Sequence, residues 1–273
     1  GAAELIDQVT ESLKGKFGIY GPTFEEYTAR FQRTDLQVSD QEGFTYGKRD
    51  ILRLAESNDG VILINPDNPS GNFIPYQDII EILETMRSEE KYLVIDESFL
   101  DFAENGFESS VLNQNDLNKF PNLIVIKSIG KSYGVGGLRL GVLASSNVDL
   151  INSIKTSVPI WNINSVAEFY MQIIGKYKSE YRESCDQLIK ARRLLFQDLC
   201  GIDYLQPYES QANYILCKVV GKKSHQIASE LCSKYSILIK DCSGKNSIND
   251  QYIRVAVRDA YDNKYLVKSL KSL

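Results

Sequence analysis

The sequence has little histidine and no closely spaced pair of cysteines. Of 273 residues only His225 is a histidine, and it lies among Lys222, Lys223 and Gln226. We expect it at the surface, which argues against a histidine-based triad or a zinc site, and we expect no metal. The five cysteines form no Cys-x-x-Cys pair. An odd number of cysteines without metal-binding spacing predicts free thiols in a cytoplasmic protein.

Long apolar runs and basic clusters are missing as well. No apolar run approaches the roughly 20 residues that a membrane-spanning helix needs. Nothing at the start of the chain resembles a signal peptide, so neither a membrane span nor a leader is expected. The chain carries 31 basic and 36 acidic residues, a net charge of −5. Because no basic stretch stands out, nucleic acid is not an expected partner.

What the sequence does contain is a regular alternation of short apolar runs with helical periodicity. Hydrophobic residues make up 43% and charged residues 25% of the chain, the balance of a globular protein. The patterns predict strands at 17–20, 36–38, 61–64, 92–95, 123–126 and 140–144 and helices at 5–13, 24–31, 51–55, 79–86 and 148–154. In the helix at 79–86, Ile79, Ile80, Leu83 and Met86 are expected to face inward. The alternation predicts a three-layer α/β/α fold around a mostly parallel sheet.

The pattern changes in the second half of the chain. Residues 166–199 are helical throughout and predict either two helices or one kinked helix. Strands at 214–219 and 253–257 alternate with helices at 227–235 and 261–270, which predicts a smaller α+β domain. We therefore divide the chain into a large domain, residues 1–180, and a small C-terminal domain, residues 181–273.

The stretch after the strand at 123–126 contains a lysine suited to nucleophilic chemistry. Ser128, Lys131 and Arg139 lie in a glycine-containing loop directly beyond the strand end. The alternative is a surface loop with a solvated lysine. Ligands of parallel α/β sheets bind at the carboxyl ends of strands. We expect Ser128 and Arg139 to bind an anion and Lys131 to attack a carbonyl group beside it.

Two further polar stretches follow neighbouring strands. Asn65 to Gly71 reads Asn-Pro-Asp-Asn-Pro-Ser-Gly after the strand at 61–64, and Asp96 opens Asp-Glu-Ser-Phe after the strand at 92–95. A tight turn is the simpler interpretation of the first stretch, and a loop cap is the simpler interpretation of Asp96. An unpaired buried carboxylate is costly, however, so Asp96 at a strand end predicts a partner.

Together, the three stretches resemble the signatures of class I and II aminotransferases, which are fold-type-I enzymes dependent on pyridoxal 5′-phosphate. The resemblance implies that Lys131 forms a Schiff base with the cofactor and that Asp96 pairs with its pyridinium nitrogen. It further implies that Asn68 bonds the phenolic oxygen, while Ser128 and Arg139 bind the phosphate. In such enzymes the protonated ring withdraws electrons from the substrate.

Within this family, the chain most resembles histidinol-phosphate aminotransferases and threonine-phosphate decarboxylases. Gly1 to Glu4 is similar to their phosphate cup, which implies that the amides of Ala2 and Ala3 bind the cofactor phosphate at a helix N-terminus. Pro22-Thr23-Phe24 is similar to a motif whose aromatic ring stacks on the cofactor, a role that passes to Phe24. In the family a further segment precedes the cup, so this chain is either a piece of a longer protein or a shortened member.

The resemblance also implies where the substrate lies. Asn213 matches an Asn-Tyr pair near the substrate, and Arg254 matches an arginine that binds the substrate carboxylate. Lys240 stands where relatives have an arginine for a distal phosphate, and lysine keeps the charge without the bidentate grip. The sequence departs from the pattern at Phe99, where many relatives have tyrosine, and at Gly130, where they often have serine.

These expectations add up to an aminotransferase that acts on a phosphorylated or phosphonate amino compound, a small molecule. A decarboxylase of a phosphorylated amino acid is the alternative within the family, because Trp161 to Asn164 resembles the decarboxylase branch. A non-catalytic paralogue is the alternative outside enzymes. The resemblance also implies a homodimer.

Overall fold

The computed structural model describes residues 1–245 and 248–273 and contains two β-sheets in that range. Its strands are β1 (Phe17–Gly21), β2 (Thr34–Val38), β3 (Gly60–Ile64), β4 (Tyr92–Asp96), β5 (Leu123–Lys127), β6 (Val142–Ala144), β7 (Leu205–Pro207), β8 (Tyr214–Val219), β9 (Lys240–Asp241) and β10 (Tyr252–Ala256). Its helices are α1 (Ala2–Ser12), α2 (Glu25–Arg30), α3 (Lys48–Glu56), α4 (Tyr76–Ser88), α5 (Gln114–Lys119), α6 (Ile129–Ser132), α7 (Val148–Ser157), α8 (Ser165–Ile174), α9 (Lys178–Cys200), α10 (Ser224–Tyr235) and α11 (Ala260–Lys271).

The large sheet has the strand order β2-β1-β3-β4-β5-β6. Strands β1 to β5 run parallel, and β6 is antiparallel to β5. The predicted mostly parallel α/β sheet is therefore confirmed. The strand predicted from Leu140 begins only at Val142.

Alternate residues of the central strands feed two separate cores. Val61 and Leu63 pack with α3 and α4 on one face, whereas Ile62 and Ile64 pack with α1 and α7 on the other. Both faces of a parallel sheet are thus covered, which explains why these strands are apolar at every position.

The inward face of α4 was predicted with one error. Ile79, Leu83 and Met86 are buried, but Ile82 is fully buried as well, while Ile80 is only partly buried beside the core. The period of 3.6 residues explains this, since positions 79, 82, 83 and 86 form one stripe and position 80 flanks it.

The small sheet has the order β7-β8-β10-β9 and is antiparallel. One face packs against α9, α10 and α11 through residues such as Ile215 and Val255. Tyr252 and Leu216 lie on the other face, where Phe44 and Tyr208 pack against them. The predicted α+β character is confirmed, although β7 and β9 are too short to show a pattern in the sequence.

The helical stretch at 166–199 consists of two helices, α8 and α9, joined by a 3-10 turn at Gly175–Tyr177. The two-helix alternative is therefore correct. The proposed domain boundary near residue 180 falls in the first turn of α9. His225 is exposed, as expected. Among the described residues, no helix is both long and apolar enough to cross a membrane.

Candidate active site

The predicted site residues converge at the carboxyl ends of β3, β4 and β5. Because these strands are parallel neighbours, the segments that follow them meet at one edge of the sheet. A cavity of about 150 Å³ lies there. Seven of the predicted residues line it: Ala2, Ala3, Phe24, Asp96, Ser128, Lys131 and Arg139.

Lys131 lies on the single turn α6, directly after β5. Its Nζ is 4.7 Å from the ring centroid of Phe24 and 4.5 Å from that of Phe99. The residue is solvent-exposed through the open site, but the two rings crowd the ammonium. This crowding lowers the pKa of Lys131, and the charges of Arg254 and Lys245 lower it further against the opposing effect of Asp96. A lowered pKa favours the neutral amine, the form that acts as nucleophile or base.

Asp96 ends β4 and is buried, with 3% of its surface exposed. Tyr27 donates its hydroxyl to Oδ2 at 2.9 Å, and the main-chain N–H of Ser98 donates to Oδ1 at 2.8 Å. Burial, followed by the Asp96 carboxylate, raises the pKa of Tyr27 well above its ordinary value. Tyr27 therefore stays a neutral donor that stabilises the carboxylate.

The other end of the cavity is suited to an anion. The first intrahelical bond of α1 runs from the N–H of Leu5 to the carbonyl of Gly1 at 3.2 Å, so the amides of Ala2 and Ala3 have no acceptor within the helix. A side chain at Gly141 would lie 2.9 Å from the amide nitrogen of Ala2, so only glycine permits this approach. Free amides at a helix N-terminus bind phosphate groups.

Arg139 and Gly130 shape the loop around the lysine. Arg139 has φ of 57°, a left-handed conformation that costs a non-glycine residue about 1 kcal/mol or more. Arg139 lines the cavity wall in this conformation. A Cβ at Gly130 would lie 3.0 Å from the Cα of Gly136. The glycine at position 130, where the family often has serine, thus lets the main chain at Gly136 approach closely.

Arg254 lies on β10 of the small sheet and reaches toward the segments that follow the large sheet. Its guanidinium donates to Oδ1 of Asn68 and lies 4.6 Å from the ring centroid of Tyr214. The hydroxyl of Tyr214 donates to the main-chain oxygen of Asp67 at 2.8 Å. The predicted substrate arginine is therefore held next to the predicted cofactor asparagine.

The remaining predicted substrate residues lie further from the cavity. Lys240 is exposed and is paired with Arg254 across β9 and β10, so the two side chains start from the same face of the small sheet. Asn213 precedes Tyr214, and its main-chain oxygen accepts the N–H of Val257 at 2.9 Å.

Phe99, the predicted departure from the family pattern, lies inside the site. Its ring meets that of Tyr214 edge to face, with centroids 5.1 Å apart. Phe99 therefore contributes an apolar wall beside Lys131, without the hydroxyl that a tyrosine would bring.

Several residues of the site were not predicted from the sequence. Tyr27 lies in α2, three positions after Phe24, which directly precedes that helix. Asp67 is buried and accepts the hydroxyls of Thr23 at 2.6 Å and Ser70 at 2.9 Å. Burial raises the pKa of Asp67 to about 6. Lys245 lies in the loop between β9 and β10, where no motif marks it.

This arrangement fits pyridoxal 5′-phosphate. An anion-binding end, an aromatic face at Phe24, a buried carboxylate at Asp96 and an amine at Lys131 correspond to the phosphate, ring face, ring nitrogen and aldehyde of that molecule. Only Asn68 of the predicted cofactor residues is absent from the cavity wall; its Oδ1 accepts a hydrogen bond from Arg254.

Comparison with known proteins identifies the same chemistry. The model of the family described as aminotransferase class I and II matches residues 2–270. A curated CMP-5′-(3-aminopropyl)phosphonate synthase from Streptomyces rubellomurinus is 28% identical over the whole chain, which spans 44% of that protein's length. An L-serine phosphate decarboxylase from Campylobacter jejuni is 30% identical, with 99% of this chain and 72% of that protein covered.

The fold is shared with solved structures. The histidinol-phosphate aminotransferase from Clostridium acetobutylicum has a TM-score of 0.90 and 26% identity, with 100% of this chain and 81% of that chain covered. Similarity over the whole chain includes both sheets.

Proposed function

The chain belongs to the class I and II aminotransferase family, and from this premise we propose that it transfers the amino group of a phosphorylated or phosphonate amino compound. The cofactor of the family and of this chain is pyridoxal 5′-phosphate. When bound, it supplies an electron sink for the negative charge that develops at the substrate's α-carbon.

We assign the cofactor phosphate to the helix end and the loop that line the cavity. The amides of Ala2 and Ala3 donate to phosphate oxygens at the start of α1. Ser128 adds a hydroxyl, and Arg139 adds a charged donor.

We assign the ring of the cofactor to the same residues. Phe24 would cover one face, and Asp96 would keep the ring nitrogen protonated, because Tyr27 already stabilises the Asp96 carboxylate. Asn68 would donate to the phenolic oxygen of the ring. Lys131 would hold the cofactor covalently, and its Nζ would take and return a proton of the substrate.

The observation that carries transamination is the fixed position of Arg254. Asn68 and the ring of Tyr214 hold the guanidinium in place. A carboxylate bound to a fixed arginine is retained, because loss of carbon dioxide would move its negative charge away from the cation. The lowered pKa of Lys131 suits removal of the α-proton instead.

The proposed substrate class comes from the relatives and from Lys240. One relative is named an L-serine phosphate decarboxylase and another the synthase of an aminopropyl phosphonate, and a structural neighbour is a histidinol-phosphate aminotransferase. Lys240 starts from the same face as Arg254 and offers a second cation. We propose that Arg254 binds the carboxylate and that Asn213 lies near the substrate.

Decarboxylation is the second candidate, favoured by the 30% identity to the L-serine phosphate decarboxylase. Loss of carbon dioxide requires the carboxylate, rather than the α-proton, to leave perpendicular to the cofactor ring. The segment Trp161 to Asn164, which resembles the decarboxylase branch, supports this candidate.

The reaction is tested by product analysis with purified holoenzyme. Histidinol phosphate, O-phospho-L-threonine and O-phospho-L-serine are supplied separately with 2-oxoglutarate, and glutamate, keto product and carbon dioxide are measured. Transamination predicts glutamate and keto product in equal amounts. Carbon dioxide without glutamate would establish decarboxylation, and neither product from any compound would favour the non-catalytic paralogue. The Lys131→Ala variant is the negative control.

We also propose a cytoplasmic homodimer. Members of the family generally act as dimers. Ile160, Trp161 and Phe169 are exposed, and a group of exposed apolar side chains on one segment is typical of a covered surface. The five cysteines are free thiols, which supports a reducing compartment.

A further inference from the structure

Lys245 contacts the active-site segment at Thr23, which lies 222 positions earlier in the chain. Its Nζ donates to the main-chain oxygen of Thr23 at 2.9 Å. Thr23 immediately precedes Phe24, the residue whose ring contacts Lys131. The loop between β9 and β10 thereby brings an ammonium group to the segment that covers the cofactor ring.

Lys245 is partly buried and lies among charges of both signs. Burial lowers the pKa of Lys245, as does the charge of Arg254, whereas Glu25, Cys242 and Asp67 oppose the effect. Lys245 and Arg254 in turn both lower the pKa of Lys131. In residues 1–245 and 248–273, no carboxylate oxygen forms an ion pair with Lys245 within 4.0 Å.

The nearby buried carboxylates already have donors of their own. Asp67 accepts two hydroxyls, and Asp96 accepts a hydroxyl and a main-chain N–H. Two cationic side chains, Arg254 and Lys245, both lower the pKa of Lys131 and thus act on one site of proposed anionic substrates. A pair of cations in a partly buried setting is stabilised by a bound anion.

We propose that Lys245 is a specificity-determining residue that binds the distal anionic group of the substrate. The proposal rests on the proposed function. An ammonium has three N–H donors, and the contact with Thr23 uses one of them. The other two can reach a phosphate or phosphonate, whose oxygens accept several charge-assisted bonds. Lys245 is better placed for this than Lys240, because it is only half exposed and competes less with water.

The alternative is that Lys245 only fastens its loop to the Thr23 segment. Two substitutions separate the roles. Lys245→Gln keeps an N–H donor for Thr23 and removes the charge, whereas Lys245→Met removes both. Lys245→Arg keeps the charge and tests rescue, and Lys240→Gln tests the competing cation on the neighbouring strand.

The experiment measures kcat and KM of wild-type and variant holoenzymes. The best substrate among histidinol phosphate, O-phospho-L-threonine and O-phospho-L-serine is compared with its dephosphorylated counterpart. Lys245→Gln is expected to raise KM for the phosphorylated substrate about tenfold to hundredfold, the effect of one charged hydrogen bond, with kcat changed less than about threefold. The KM for the dephosphorylated compound should stay within about twofold, and Lys245→Arg should recover most of the loss.

Each other outcome has a definite meaning. Equal losses on both compounds, or a normal KM in Lys245→Gln with a loss only in Lys245→Met, would show that Lys245 is a structural fastening. A loss of phosphate preference in Lys240→Gln alone would transfer the role to Lys240. If the wild-type holoenzyme converts none of the phosphorylated compounds, the proposed function itself is wrong. The role proposed for Lys245 is then wrong as well.

Discussion

The ammonium group of Lys131 is in contact with aromatic rings and not, in the part of the chain that the structure describes, with a carboxylate. Its nitrogen lies between the rings of Phe24 and Phe99 and forms no ion pair among the described residues. Aromatic faces attract a cation but accept no proton from it. The amine is therefore held in place while its pKa is lowered, a combination that suits covalent attachment followed by proton transfer.

Lys131 is expected to be the single lysine that holds the cofactor. Reduction of the holoenzyme with borohydride, followed by peptide mass spectrometry, should place the pyridoxyl label on Lys131. The Lys131→Ala variant should lose the label, and Lys155→Ala, at an exposed position of α7, should keep it. A label on another lysine in wild-type protein would contradict the assignment.

Asp96 is expected to act on the rate and not on cofactor retention. Asp96→Asn should still bind pyridoxal 5′-phosphate but lose about a thousandfold in kcat, roughly 4 kcal/mol, because the ring nitrogen is no longer kept protonated. Tyr27→Phe removes only the hydroxyl that donates to Asp96 and should lose less than about tenfold. Steady-state rates decide this, and near-parental activity of Asp96→Asn would make the residue structural.

At the scale of elements, the site is built by short segments that follow strand ends. Each segment is fixed by polar contacts to a segment far along the chain. Glu97, the residue after β4, illustrates this: its carboxylate accepts the hydroxyl of Ser110 at 2.6 Å and the N–H of Val111 at 2.9 Å. These contacts hold the approach to α5 against the end of β4.

Glu97 is expected to make stability depend on pH. Burial raises its pKa from 4.5 to about 7, with Lys127 opposing and Asp101 adding to the effect. Because the folded-state pKa is the higher one, the stability contributed by the neutral acid is complete below about pH 4.5 and is lost as pH rises through about 7.

Glu97→Gln mimics the neutral acid and should remove this dependence. At pH 8 the variant should exceed the wild type in unfolding free energy by up to about 3 kcal/mol, and the difference should vanish near pH 5. Urea unfolding at several pH values measures it. A difference between the two proteins that is the same at every pH would contradict the role of Glu97.

At the scale of the whole molecule, α9 joins the two sheets through a buried cation. Arg192 is 3% exposed and donates to the main-chain oxygens of Phe102, beyond β4, and of Ala212, before β8. Burial lowers its pKa to about 10, so it remains charged at neutral pH. The two sheets, and hence the two sides of the site, are held together at this point.

Arg192→Met is expected to destabilise the fold. The substitution leaves two carbonyl oxygens without donors and should lower the unfolding free energy by about 3 kcal/mol. The neighbouring Arg193 makes an exposed ion pair with Glu104, and Arg193→Met should change stability by less than about 1 kcal/mol. Urea unfolding compares the two variants, and equal effects would mean that Arg192 does not join the sheets.

The apolar surface formed by α8 and the segment just before it is expected to lie in a dimer interface. Trp161 is 92% exposed and Phe169 is 61% exposed. Exposure of such large apolar rings to water is unfavourable, and such rings are typical of surfaces that a partner covers. Phe169→Asp should convert a dimer to a monomer in light scattering at micromolar concentration. Leu238→Asp, at an exposed position on the small domain, should leave the dimer intact. A monomeric, active wild type would refute the interface.

The sequence by itself determined the layered fold and predicted most of the cofactor side of the proposed site. A short apolar run such as Val61 to Ile64 is enough to predict a buried strand, because the pattern lies within a few consecutive residues. In a parallel sheet, residues that follow neighbouring strands must meet at one edge, so the motifs around Asn68, Asp96 and Lys131 predicted a common site. The same local logic separated the small antiparallel domain from the large one.

Only the tertiary structure decided which distant residues complete the site. Tyr27 reaches Asp96 across 69 positions, and Lys245 reaches Thr23 across 222. Neither contact leaves a periodic or spacing signal, because it depends on how whole elements pack. The antiparallel direction of β6 and the pairing of Arg254 with Asn68 were decided in the same way. Local patterns specify elements and their ends, whereas packing specifies which side chains meet between them.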